Sequence, residues 1–190
     1  DPRHMEMRRV FSEPLLPGAL GTLRTRMQPL AEERVERLVA GRRFDAVKDL
    51  AQYLPLTIVT ELVGLSEEGR ANMLAWAAGI FNAFGTLPNA RTEEGIRVTQ
   101  TIVEYVRNRV TRDELVPDGW GARLYEQADL GRLTHEQANT MLIDYLSPAL
   151  DTTINAISSA IWLFGLHPDQ WDLVREDAGL VPDAINEVLR

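Results

Sequence analysis

Apolar residues recur every three to four positions along almost the whole chain, which is the spacing of amphipathic helices. Alternation with a period of two, the mark of half-buried strands, is scarce. Internal repeats, low-complexity tracts and flexible Ser/Gly linkers are absent from the sequence. The pattern therefore predicts an all-α protein in which residues 1–190 form a single helical region.

One predicted helix is much longer than the others. Thr134 and Gln137 form a capping box, and helix-compatible spacing continues to about Gly165. At 1.5 Å per residue, the range 134–165 would be roughly 45 Å long. Pro148 lies near its middle, where a proline removes one backbone hydrogen bond and costs about 3 kcal/mol. The sequence thus predicts one very long, kinked helix.

Shorter helices are predicted on both sides of it. Phe44–Val47 is expected to be an extended connector, and Ser66 is expected to cap the helix that follows Gly64. The other expected elements are a helix around 20–38 interrupted by Pro29 and stopped by Gly41, one over 48–63, one ending at 85–88, one over 92–112, short helices around Leu124 and around Trp171, and a last helix opened by Pro182.

Composition narrows the classes of function. The chain has a formal net charge of −8, which argues against a nucleic-acid-binding protein. Residues 1–43 nevertheless carry nine Arg against six Asp and Glu, which indicates either a docking surface for an acidic partner or unevenly charged solvated helices. No cysteine occurs, so the chain has no disulfide and no thiolate ligand. No segment is predicted to cross a membrane or to act as a targeting signal.

The segment around Pro148 is the strongest candidate for chemistry. Thr152 can donate a hydrogen bond to the carbonyl oxygen of Pro148 and so open the helix for a ligand or a water. Asp151 and the Thr152 hydroxyl then form a plausible proton relay beside the opened turn. From the residues alone, a solvent-exposed Asp-Thr-Thr on a bent helix is the somewhat favoured alternative.

Two further residue pairs are individually weak signals. His4 and Arg8, at i and i+4, lie on one helical face and could both donate to one anion, although an incidental surface pair is favoured from spacing alone. Glu187 and Arg190, at i and i+3, form the kind of exposed helix pair that contributes little.

Taken together, in this order and separation, the three patterns resemble the landmarks of the cytochrome P450 family of haem-thiolate monooxygenases, in its soluble bacterial type. The resemblance implies that His4 and Arg8 hold the haem propionates. It implies that Asp151 and Thr152 deliver protons to iron-bound dioxygen, with Ala149 beside the haem.

The rest of the resemblance concerns the extent of the chain. Glu187 and Arg190 match the family's structural Glu-x-x-Arg pair. Residues 1–190 therefore resemble the central helical part of the fold, an incomplete domain without the N-terminal sheet region and without the C-terminal loop Phe-x-x-Gly-x-x-x-Cys-x-Gly. Because this loop supplies the axial cysteine, no metal ligand is expected in the chain and haem binding by the chain itself is doubtful.

The substrate expectations follow from helix geometry and from the resemblance. Asp144, Ser147 and Pro148 lie toward the same face as Thr152 and could border the substrate space. Phe81 and Phe84, with Met73, could form its roof, although packing inside the core is the favoured alternative for such residues. The implied substrate is a small, mostly apolar organic molecule.

The remaining expectations concern partners and alternatives. The resemblance implies a ferredoxin or flavin reductase as electron donor and a cytoplasmic location. The chain alone is not expected to catalyse the reaction, and its exposed core surface would favour a homo-oligomer or a complementing fragment. The alternative function is a non-catalytic, degenerate P450-like helical module or ligand-binding protein, which the presence or absence of the cysteine loop in the gene would distinguish.

Overall fold

The computed structural model describes residues 2–86 and 88–190, which form α-helices joined by short 3₁₀ and π segments, with no strand in these ranges. The all-α prediction is confirmed. The α-helices are α1 (Pro2–Ser12), α2 (Pro17–Gly41), α3 (Tyr53–Val63), α4 (Glu67–Ala83), α5 (Ala90–Asn108), α6 (Trp120–Asp129), α7 (His135–Leu166), α8 (Pro168–Glu176) and α9 (Val181–Leu189).

The predicted helix caps are present. The Ser66 hydroxyl accepts the Gly69 amide at 3.5 Å at the start of α4. At the start of α7, the Gln137 amide donates to Thr134 Oγ1 at 3.1 Å and the Thr134 amide donates to Gln137 Oε1 at 2.8 Å. This capping box confirms where the long helix begins, and α7 ends at Leu166, one residue beyond the predicted end.

Two local expectations need correction. Pro29 does not interrupt α2, which continues through it. The predicted end of this helix at Gly41 is confirmed, and the next residue, Arg42, takes the left-handed conformation that caps it, with φ of 59°. The helix preceding α5 ends at Ala83, before the expected 85–88 turn, of which Leu87 lies outside the described residues.

The Phe44–Val47 connector is the third correction, because helical structure begins inside it. A π-helix spans Ala46–Ala51, and the Asp45 carboxylate caps it by accepting the amides of Val47 (2.9 Å) and Lys48 (3.0 Å). These backbone hydrogen bonds hold the pKa of Asp45 below its ordinary value.

A contact distant in sequence holds this π-helix in place. The Arg34 guanidinium lies over the Tyr53 ring at 4.8 Å and donates to the carbonyl oxygen of Asp49 at 2.5 Å. One side chain of α2 is thereby bonded to the π-helix while it covers the first residue of α3. The segment is therefore held both by its own Asp45 cap and by a side chain of α2.

The core is built around the first two thirds of α7, which packs against α3, α4, α5 and α6. Its largest fully buried side chains are Val63, Leu65, Met73, Val106, Ile102, Leu124, Leu142, Leu146 and Leu150. Ile154 is the last buried residue of the chain, and none is buried from Asn155 to Arg190. Apolar side chains such as Trp162 and Leu189 are each 65% exposed there, so this end of the molecule presents uncovered apolar surface.

Only α7, within the described ranges, is long and apolar enough to cross a membrane by length and composition. The central helix of a water-soluble protein meets the same two criteria. Seven residues of α7, all between Ala138 and Ile154, are buried in the core.

Two glycines let α4 and α5 pack at close range. A methyl group at Gly95 would lie 2.5 Å from the Ala83 amide nitrogen and 2.8 Å from the Gly79 carbonyl oxygen. A methyl group at Gly79 would collide with Val98 in the same way. Because Gly95 faces backbone atoms, which cannot move aside as a side chain can, this crossing requires glycine at that position.

We therefore expect Gly95→Ala to lower the free energy of unfolding by about 1–3 kcal/mol, the usual cost of overpacking. The measurement is the urea unfolding midpoint of the chain, followed by far-ultraviolet circular dichroism. Gly21→Ala in α2 is the matched control, since no atom lies within 4 Å of its added methyl group. That control should be neutral or stabilising by up to about 1 kcal/mol, and equal effects at the two sites would contradict the close crossing.

Candidate functional site

The turn around Pro148 is the centre of the candidate site. Pro148 has no amide hydrogen for the carbonyl of Asp144, so α7 lacks one of its backbone hydrogen bonds there. The Thr152 hydroxyl donates to the Pro148 carbonyl oxygen at 2.6 Å, which confirms the hydrogen bond expected from the sequence. The turn before Pro148 therefore lacks one backbone hydrogen bond, and the turn after it has an additional bond from a side-chain hydroxyl.

The acid of the predicted relay adjoins this turn. Asp151 is half-buried, and the side-chain amide of Asn155 donates to its Oδ2 at 3.3 Å. Thr152 is exposed. Asn155 was not identified by the sequence reasoning, although an amide one helical turn after the acid was an available signal. A carboxylate oriented by Asn155 beside a hydroxyl open to solvent can exchange protons between water and a neighbouring ligand.

An apolar groove of ≈ 410 Å³ runs along the same stretch of α7. It lies between α7 on one side and α2 and α3 on the other, and residues at the end of α1 also contribute. Its lining residues are Phe11, Leu15, Leu23, Met27, Leu54, Pro55, Ile58, Val59, Leu62, Trp120, Asp144, Tyr145, Pro148, Ala149, Thr153 and Ile157. A space of this size and character suits a largely apolar ligand.

Asp144 is the one charged residue in that lining. Asp144 is exposed as a residue, but part of its carboxyl group is shielded from water. This desolvation raises the pKa of Asp144. Three of the predicted site residues, Asp144, Pro148 and Ala149, therefore meet in one groove. Ser147, which is half-buried, is not among its lining residues.

The two cations of the N-terminal pattern lie on α1. His4 and Arg8 are both exposed, and with Phe11 they follow the i, i+4, i+7 spacing of one helical face. Phe11 reaches the groove, so the face that carries the cations leads toward it. Arg8 also borders a wider depression on the outside of α1, which Arg9 and Arg132 share.

The other predicted residues lie elsewhere. Phe81 and Phe84 meet edge to face at the end of α4, with ring centroids 6.5 Å apart, and neither lines the groove. Met73 is fully buried, as the alternative interpretation of that helix held. Glu187 and Arg190 form an exposed ion pair at 2.8 Å on and just after α9.

In residues 2–86 and 88–190, no group of three or more His, Cys, Asp or Glu side chains could hold a metal ion. His135 instead lies 3.4 Å from Asp129, which also bonds Arg112 at 3.0 Å. His167 is the residue between α7 and α8. The two histidines therefore belong to the ends of the long helix and not to the candidate site.

Comparison with known proteins assigns this arrangement to a family, although no protein-family model matches the chain. The chain is 35% identical over 190 residues to cytochrome p450 CYP199A2 of Rhodopseudomonas palustris, covering 100% of this chain and 46% of that protein. The chain thus spans about half the length of the curated relatives it matches.

Solved structures agree. The myxobacterial cytochrome P450 CYP267B1, in complex with myristic acid, has a TM-score of 0.84 and 26% identity, over 99% of this chain and 47% of its own. Cytochrome P450 TxtC, which carries out thaxtomin hydroxylation, has a TM-score of 0.84 and 23% identity, over 100% of this chain and 49% of its own. The chain, with its proline-containing central helix and its groove, belongs to the cytochrome P450 family.

Proposed function

We propose that this chain is the central part of a haem-dependent monooxygenase that activates dioxygen to hydroxylate a small, mostly apolar organic molecule. The observation that carries the proposal is the position of Asp151 and Thr152 within about one helical turn of Pro148 and Ala149, which line an apolar groove. Asp151 and Thr152 themselves are not among the lining residues of that groove. Thaxtomin hydroxylation by one structural neighbour and myristic acid bound to another support it. The proposed domain is incomplete, with the sheet region and the cysteine loop outside residues 1–190.

The described residues fit one face and the carboxylate-bearing edge of a haem. The apolar walls beside Pro148 and Ala149 suit a flat aromatic macrocycle, and His4 and Arg8 lie on the helical face of α1 that leads to the groove. When bound, haem would supply dioxygen activation at its iron. His4 and Arg8 would hold its two carboxylates, and the axial thiolate would come from a cysteine outside this chain.

The chain's own contribution to the chemistry would be proton delivery. In this structure, the hydroxyl hydrogen of Thr152 is used by the Pro148 carbonyl. Rotation about the Thr152 side chain would release that hydrogen to a ligand bound beside Pro148. Asp151, after taking up a proton from water, would return one to the Thr152 hydroxyl. Asn155 keeps the Asp151 carboxylate oriented and does not take up a proton itself.

Substrate and partner assignments follow the same geometry. Asp144, Ser147 and Pro148 would border the substrate, and Phe81 and Phe84 remain predicted roof residues. Arg9 and Arg132, which border the depression beside α1, would meet an acidic ferredoxin or a flavin reductase, since opposite charge accelerates such transient encounters. We further propose a cytoplasmic location, and association of the isolated chain through its uncovered apolar surface.

The first test separates the enzyme from the alternative, a non-catalytic P450-like helical module. The complete gene product that contains this chain should bind haem and give a thiolate-type carbon monoxide spectrum. The 190-residue chain alone should not, because it has no cysteine. A gene product without a haem spectrum would contradict the proposed function and support the alternative.

The second test concerns the relay. In the complete protein, Asp151→Asn and Thr152→Val should reduce the hydroxylated product formed per dioxygen consumed, with turnover lowered by about 10²–10⁴ where proton delivery becomes limiting. Thr140→Val is the matched control. Its hydroxyl makes the same kind of bond, to the Glu136 carbonyl at 3.0 Å, on the same helix but away from Pro148. A loss of coupling in the control, or none in the two variants, would rule out the relay.

The third test concerns Asp144, whose charged form is disfavoured by the groove. Because its folded-state pKa is raised, the carboxylate destabilises the fold at neutral pH. This penalty shrinks as the pH falls through the folded value and is gone below the unfolded value of about 3.9. Asp144→Asn should therefore raise the urea midpoint at pH 7 and lose that advantage in acid.

Asp113→Asn, at an exposed site outside the groove, serves as the control for the loss of one carboxylate. An Asp144→Asn protein whose stability relative to the unmodified chain is the same at pH 7 and in acid would show that the groove does not desolvate this carboxyl.

A further inference from the structure

The helix that carries His4 and Arg8 is weakly anchored. No residue of α1 is buried, although Met7, Val10 and Phe11 pack partly against the core. Its orientation therefore depends on a few side-chain contacts with the rest of the molecule.

Two contacts join α1 directly to α7. The side-chain amide of Gln137 lies 3.2 Å from the sulfur of Met7. The Tyr145 hydroxyl donates to the Phe11 carbonyl oxygen at 2.6 Å, and the two rings stack with centroids 4.2 Å apart and 13° between their planes. Tyr145 thus holds Phe11 through both its backbone and its ring.

The spacing of these contacts defines a direction. They are eight residues apart on α7 and four residues apart on α1, or about 12 Å and about 6 Å along the two helix axes. Two separated contacts fix the angle between the axes of two helices, whereas a single contact would let one helix pivot on the other. The sulfur contact is the weaker of the two, because a thioether is a poor acceptor.

The surroundings of Tyr145 favour a permanent contact. The residue is 3% exposed, and its ring lies 5.2 Å from that of Trp120. Burial raises the pKa of Tyr145, so the phenol keeps the hydrogen that it donates. Its acceptor is among the last four carbonyls of α1, which have no partner inside their own helix.

We propose that Tyr145 is a positioning residue that sets the angle at which α1 presents His4 and Arg8 to the turn at Pro148. Tyr145 lies on α7 three residues before that proline, so one side chain links the cation-bearing helix to the proton-relay turn. The inference that this contact affects haem binding rests on the proposed function, whereas the effect of Tyr145 on the helix angle does not.

The chain has no cysteine, so a distance can be measured with two introduced ones. Nitroxide labels at Glu6→Cys on α1 and Ser159→Cys on α7, both exposed sites, report the angle between the helices by pulsed electron resonance. With Tyr145 unmodified, the distances between the two labels should form one narrow distribution. Tyr145→Phe keeps the ring and removes the hydrogen bond, and in this variant the distribution should no longer be a single narrow one.

Tyr125→Phe is the matched control. It also removes one hydrogen bond from a buried tyrosine, donated to Asn139 Oδ1 at 2.5 Å, but between α6 and α7. Its distance should stay narrow even if its urea midpoint falls as much as that of Tyr145→Phe. An unchanged distance in Tyr145→Phe, or equal broadening in both variants, would overturn the proposal.

A second measurement separates this proposal from the proposed function. In the complete protein, haem transfer to excess apomyoglobin should be several-fold faster for Tyr145→Phe and for Arg8→Ala, but not for Tyr125→Phe. If Arg8→Ala has no effect, the proposed haem-holding role of α1 fails, whereas the distance measurement still decides the role of Tyr145.

Discussion

The burial of α7 between Ala138 and Ile154 is the constraint on which the rest of the structure depends. Its buried side chains contact α3, α4, α5 and α6, so four helices take their places from one. The groove, the altered turn at Pro148 and the end of α1 are all positioned by this stretch. Removing apolar surface from water drives such packing, and the candidate chemistry lies at its edge, where α7 begins to emerge from the core.

This arrangement lets one helix serve two purposes. The side of α7 that carries Leu146 and Leu150 is buried and stabilises the fold, while Pro148 and Thr152 on the other side are exposed. Placing the proline on the exposed side leaves the hydrophobic contacts intact. The missing backbone hydrogen bond leaves the Asp144 carbonyl without its helical amide donor, whereas the Thr152 hydroxyl bonds a different carbonyl, that of Pro148.

Local signals in the sequence were sufficient for the features that depend on neighbouring residues. The capping box at Thr134 and the Thr152 bond each involve residues within four positions of one another, and both were predicted. The π-helix is also contacted by Arg34, and the end of α1 by Tyr145, 134 residues after Phe11. Contacts between residues far apart in the sequence follow no fixed spacing that a sequence pattern could reveal. The exposure of Phe81 and Phe84 likewise depends on tertiary packing, which helical periodicity does not encode.

The absence of buried residues after Ile154 bears on how the chain is made. Domains form as the ribosome releases them, amino end first, and every side chain of this core has been synthesised by position 154. The helical core can therefore close before α8 and α9 emerge. Those two helices would then dock onto a surface that has already formed.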